Sequence, residues 1–195
     1  MKKIELEIIA LSHSISQTNS YAVVLGEVNG VRRLPIVIGG FEAQAIAVAL
    51  ERMKPTRPLT HDLMKNFMLA FNIDLHEVII SDLQEGIFYS KLLCSTEVDT
   101  VEIDSRTSDA LAMAVRFGCP IFIYENIFEV ASSDNPEIQK VAAKQDTSAA
   151  YAGSDKNKDL KKLTLEELHE LLNEVLEQED YIRAISIRDE INTRK

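Results

Sequence analysis

Near the amino terminus Ile4, Leu6 and Ile8 alternate with Glu5 and Glu7, the two-residue period of a strand with one buried face. A second strand is predicted from about Tyr21 to Val28 and a third from Val31 to Ile38. Asn29-Gly30 between them predicts a tight hairpin turn, because both residues tolerate positive φ. The period then lengthens. Ala43, Ile46, Ala47 and Leu50 fall at helical spacing within 41–53, and Pro55 and Pro58 stop that helix. Thr60 is placed to cap a second helix that runs through Leu63, Met64, Phe67 and Phe71. Strands over 75–83 and 86–95 turn at Glu85-Gly86, and a further strand is expected over 98–104. A helix over 108–117, closed by Gly118, leads to a short buried strand over 120–124 and two short helices over about 126–131 and 135–144.

Beyond this point the pattern loses its period. Residues 145–162 read as a flexible linker. Thr164, with Glu167 three residues on, then makes a capping-box pattern ahead of helices over 165–178 and 180–194. Leu168, Leu171, Leu172 and Val175 form a stripe that faces Tyr181, Ala184, Ile185 and Ile191. The chain therefore reads as an α+β domain over 1–144, with a mixed or antiparallel sheet and packed helices, a linker over 145–162, and a helical hairpin over 163–195. A hairpin of about thirty residues buries too little surface to stand alone, so it should pair with another copy, dock on the first domain or capture a partner helix.

Charge adds a constraint. The 195 residues carry 31 acidic and 21 basic side chains, a formal net charge of −10, which opposes any general coating of nucleic acid. Locally the sign reverses. Between 31 and 66, Arg32, Arg33, Arg52, Lys54, Arg57 and Lys65 outnumber Glu42, Glu51 and Asp62. A small site engaging one phosphate at a time is compatible with that distribution. Glu5 and Glu7 interrupt any signal-peptide apolar core, and no apolar run is long enough to span a membrane, so a cytoplasmic location is expected. Cys94 and Cys119 sit in apolar segments and read as free core thiols.

Three helix starts carry similar chemistry: Gly39-Gly40-Phe41-Glu42, Arg57-Pro58-Leu59-Thr60-His61-Asp62 and Asp104-Ser105-Arg106-Thr107-Ser108-Asp109. Each offers backbone N–H groups and a carboxylate, a combination that suits phosphate. It equally suits plain capping and dipole compensation, which accounts for Glu42, Asp62 and Asp109 without any function. His13, His76 and His169 stand alone, and no Gly-rich phosphate loop, HExxH or nucleophile elbow occurs.

At these same loops the chain resembles a known family. Leu34-Pro35-Ile36-Val37-Ile38-Gly39 with Glu42-Ala43 and Ala45-Ile46-Ala47, then Arg57 to Leu63, then Asp104 to Ala110 continuing through Pro120-Ile121, are similar to the signatures of the bifunctional nuclease domain. Thr107 stands where that family usually has proline. The resemblance implies a compact α+β fold, a homo-oligomer, most simply a dimer, and activity against DNA and RNA. It implies a site of His61, Asp62, Asp104, Arg106, Ser108 and Asp109 supported by Glu42. For metal-assisted phosphodiester hydrolysis, Asp62, Asp104 and Asp109 would hold Mg²⁺ or Mn²⁺ and His61 would be the base. Arg57, Thr60, Arg106 and Ser108 would contact phosphate. The alternatives are a non-enzymatic module that binds a phosphate-bearing ligand or a regulatory partner, and polar loops that serve only a dimer interface.

The tail resembles the UVR motif, the hairpin through which the UvrB and UvrC repair proteins interact. Glu179-Asp180-Tyr181 and Arg188-Asp189-Glu190-Ile191 carry the likeness, while Ile182 and Ile185 replace the usual Glu and Ala. That resemblance implies a repair or transcription protein as partner, met through Tyr181, Ile185, Arg188 and Ile191.

Overall fold

The computed structural model describes residues 2–13, 20–134, 160, 163–177 and 181–193. The expected helix over 135–144 and most of the expected linker lie outside them. Seven strands form one sheet: β1 (Lys3–His13), β2 (Ser20–Glu27), β3 (Arg33–Gly39), β4 (Asp74–Gln84), β5 (Ile87–Ser95), β6 (Thr100–Arg106) and β7 (Ile121–Tyr124). Their spatial order is β3-β2-β1-β7-β4-β5-β6. Only the β4–β7 pairing is parallel, so the domain is α+β with a mixed sheet. The helices are α1 (Gly40–Leu50), α2 (Thr60–Ala70), α3 (Thr107–Phe117) and α4 (Glu125–Asp134).

Alternation sorts the sheet into two faces. Leu6, Val23, Leu25, Leu34, Ile36, Val78, Ile80, Leu92 and Ile123 join one core with Ala43, Ile46 and Ala47 of α1 and Ala110, Leu111 and Met113 of α3. Small alanines let α1 and α3 approach each other and the sheet closely. The opposite face carries cross-strand charge pairs instead, Lys3 with Glu77 and Lys91 with Glu102. Cys94 is buried, Cys119 is partly so, and burial pushes the Cys119 thiol up to about 11.

The two hairpin turns differ from the simplest expectation. Asn29 and Gly30 do not have positive φ, and the connection is a four-residue turn over 28–31 closed by Glu27 N–H to Arg32 O at 3.1 Å. Arg32 also forks onto the Glu27 carboxylate at 3.0 and 2.8 Å, which holds the wider loop. Positive φ appears instead at Glu85 (51°) and Gly86 (80°), flanked by the Gln84–Ile87 pair, the geometry of a two-residue type I′ turn.

Thr107 accounts for its own departure from proline. Its hydroxyl donates to Phe88 O at 3.0 Å and lies 2.7 Å from the fully buried Ser90 hydroxyl. Proline at the first helical position would fix φ favourably but leave Ser90 Oγ without this partner. Thr107→Pro is expected to destabilise by about 1–3 kcal/mol through that orphaned hydroxyl. A Thr107→Pro, Ser90→Ala double variant should recover much of the loss; melting temperatures of the three proteins check this.

Helices α5 (Leu165–Glu177) and α6 (Tyr181–Thr193) form the carboxy-terminal hairpin. Thr164 and Glu167 make the expected reciprocal box, with Thr164 N–H to Glu167 Oε2 at 2.7 Å and Glu167 N–H to Thr164 Oγ1 at 3.3 Å. Leu168 and Val175 bury against Ala184, Ile187 and Ile191, with Leu160 alongside. Of the alternatives open to such a hairpin, docking on the first domain is realised. Arg188 meets Glu51, the cap at the end of α1, at 2.5 Å, and Met53 packs against both cores.

Candidate functional site

The three polar helix starts meet. Gly39, in extended conformation, precedes α1, and a Cβ there would lie 2.4 Å from Glu42 Oε2, so glycine leaves room for that carboxylate. Leu59, not Thr60, occupies the cap position of α2, and Thr60 is the first helical residue. Asp62 closes that start from inside the helix by accepting Leu59 N–H at 2.9 Å. Arg106 ends β6 and caps α3 in extended backbone, which places Asp109 in the first turn of α3.

One chain of contacts joins all three. His61 Nε2 lies 3.0 Å from Asp109 Oδ1. Arg106 donates through Nε to Asp109 Oδ2 at 2.7 Å and through Nη2 to Oδ1 at 3.2 Å, and its Nη1 reaches Glu42 Oε1 at 2.9 Å. For Asp109, burial acts to raise the carboxyl pKa, but hydrogen bonds from Arg106 and His61 and the Arg106 charge outweigh it and hold it below its ordinary value. The carboxylate therefore stays ionised and ready to accept from an imidazole N–H.

A second, deeper contact set lies beside it. Arg116, near the end of α3 with its side chain 5% exposed, donates from Nε to Asp62 Oδ1 at 2.6 Å. Its Nη1 donates to Ala45 O and Ala112 O, both at 3.0 Å, and its own carbonyl accepts from Lys65 Nζ at 2.5 Å. Burial would raise the Asp62 pKa, yet the Arg116 and Leu59 hydrogen bonds lower it below its ordinary value. Sequence reading did not single out Arg116. An arginine in a last helical turn reads as a dipole partner, and only its burial reveals it as the bolt across α1, α2 and α3.

The remaining candidates are placed as follows. Ser108 is buried in the first turn of α3, while Arg57 and Thr60 are exposed at the approach to α2. Asp104 is not drawn into the cluster. It pairs across the strands with Lys91 on the sheet face that carries the Lys91–Glu102 ion pair. Asp62, Asp104 and Asp109 thus do not converge as ligands, two of them being committed to arginines. Among the described residues no group of three or more His, Cys, Asp or Glu side chains is arranged to hold a metal ion. The described residues therefore form no site that fits Mg²⁺ or Mn²⁺. In the hairpin, Arg188 is engaged by Glu51 and Ile191 is buried; the side chains of Tyr181 and Ile185 lie outside the described set. Among the described residues no helix is long and apolar enough to cross a membrane.

A seven-stranded mixed sheet with an Asp–His–Arg cluster at three converging helix starts defines an α+β domain with one polar site built from sequence-distant loops. Residues 23–136 match the bifunctional nuclease domain, and the chain belongs to that family. It is also 42% identical over 113 residues to two uncharacterized proteins of Mycobacterium tuberculosis, Rv1829 of strain H37Rv and MT1877 of strain CDC 1551. The aligned segment is 58% of this chain and 67% of each of theirs.

Proposed function

We propose that the domain cleaves phosphodiester bonds of DNA or RNA at the His61–Asp109–Arg106 cluster. The observation that carries this reading is the 3.0 Å His61–Asp109 contact, made between residues 48 apart within the segment that matches the family. A carboxylate acceptor fixes the proton of a neutral imidazole on Nε2, so Nδ1 holds the free lone pair. Nδ1 takes a proton from an attacking water as its oxygen bonds to phosphorus; the P–O ester bond breaks and the leaving oxygen is protonated by solvent. Arg106 has five N–H bonds, three of them used internally, and its side chain is 68% exposed, so the others are available to the charge that builds on the phosphoryl oxygens. Arg57, exposed at the approach to α2, supplies a second positive charge.

The test is turnover of single-stranded DNA and RNA oligonucleotides by the full chain, in EDTA and in Mg²⁺ or Mn²⁺, beside His61→Ala. Cleavage by the wild type alone is expected, and equal cleavage by both proteins would sink the assignment. The pairing of Asp62 and Asp109 with arginines favours a second reading, a phosphate-ligand-binding or regulatory module without turnover. Tight oligonucleotide binding with no cleavage under any condition would select it.

A homodimer is the assembly we propose, built on α2. Leu63, Phe67 and Phe71 recur at one-turn spacing and are 63%, 57% and 63% exposed, with Met64 beside them and no charged side chain among them. The spacing is symmetric about Phe67, so two antiparallel copies of α2 would set Leu63 of each against Phe71 of the other. Phe67→Asp should convert a dimer to a monomer by light scattering; an unchanged mass removes α2 from the interface. For the hairpin, likeness to the UVR motif supports contact with a repair or transcription protein, in competition with the Arg188–Glu51 pair.

A further inference from the structure

Phe41 is the most exposed aromatic side chain among the described residues, 88% open to solvent, and it stands in the first turn of α1. A phenyl ring in water adds nothing to the core, so its position carries the information. That position is one residue before Glu42, whose carboxylate binds Arg106 at 2.9 Å. Adjacent Cα atoms lie 3.8 Å apart and a glutamate side chain reaches about 5 Å, so with the 2.9 Å hydrogen bond the Phe41 Cα is within about 12 Å of the guanidinium. One nucleotide covers that distance from phosphate to base. Phe67 and Phe71 offer no equivalent, because their rings pack on each other at 4.7 Å.

We infer that Phe41 is the base-stacking platform of the site, and that the substrate is an unpaired strand. The inference rests on the phosphodiester reading above. With a phosphate on Arg106, the adjoining nucleobase lies flat on the phenyl ring. Stacking of this kind ignores base identity, because every base has a π face. It also discriminates against duplex, whose bases already stack on their neighbours and would have to be unstacked first. Acceptance of both DNA and RNA and rejection of paired strands follow from the same contact.

Phe41→Leu and Phe41→Trp in the full chain test this, since leucine keeps apolar bulk without a π face and tryptophan enlarges it. Fluorescence anisotropy with a labelled oligothymidylate, and with the same strand bearing abasic sites, gives a readout independent of turnover. The wild type should prefer the base-bearing strand, Phe41→Leu should lose about tenfold of that preference, and Phe41→Trp should retain it. If the wild type binds and cleaves the oligonucleotide and Phe41→Leu does so equally, stacking is overturned and the nuclease reading stands. If Phe41→Leu instead changes the oligomeric mass with binding preference intact, Phe41 belongs to an interface and the inference also falls. If the wild type neither binds nor cleaves any strand, both readings fail together.

Discussion

Asp109→Asn is expected to lower the rate of strand cleavage by about 10²–10⁴, with substrate affinity changed only a few-fold. The carboxylate does two things at once, accepting from His61 Nε2 and from two Arg106 nitrogens. An asparagine amide can turn its NH₂ toward the ring, which favours the tautomer with the proton on Nδ1 and removes the base. Arg106 keeps Glu42 and its exposed N–H bonds, so phosphate binding survives. A merely structural role for Asp109 would appear as a lower melting temperature with turnover per folded molecule intact. Asp104→Asn, beside Lys91 and outside the cluster, is the matched comparison and should cost far less. Equal losses from the two substitutions would overturn the assignment of Asp109 as the orienting group.

The elements were legible in the sequence because alternation and helical spacing are local properties. β1, α3 and the capped start of α5 follow their apolar period and end signals closely, whereas α1 ends at Leu50, short of the expected 53 and ahead of the prolines, where Arg52 takes positive φ. Turn chemistry was less secure. Asn-Gly is a strong local signal, yet at 28–31 the Glu27–Arg32 fork sets a wider loop, while the weaker Glu85-Gly86 pair adopts the tight turn. The three helix starts could be recognised as candidates, but not how their residues pair. Asp62 and Asp109 look alike in the sequence, each in the first turn of a helix, and the fold gives one to Arg116 and the other to His61 and Arg106. Asp104 shares a motif with Asp109 but lies on a strand whose cross-strand partner is Lys91. Such distinctions depend on register and helix packing, which are long-range.

Arg116→Ala is expected to be the most damaging single change to stability outside the hydrophobic core. The side chain binds Asp62, Ala45 O and Ala112 O, and so ties α1, α2 and α3 together beneath the site. Truncation leaves two buried carbonyls without this partner and a carboxylate that is 31% exposed and therefore partly rehydrated. That partial relief places the loss near the lower end for a broken buried pair, about 3 kcal/mol, or roughly 6–12 °C in melting temperature. The pH dependence identifies the cause. Asp62 has a folded pKa below its ordinary 3.8, so its stabilising contribution is complete above that value and is lost as pH falls through the lowered pKa. Without Arg116 the main source of the lowering is gone. The gap between wild type and Arg116→Ala should therefore be widest near neutrality and narrow as pH drops below 3.8. Arg116→Lys keeps the charge but lacks the fork that reaches three acceptors, and should fall between the two. A gap that stays constant into acid would assign the loss to packing alone and not to the Asp62 pair.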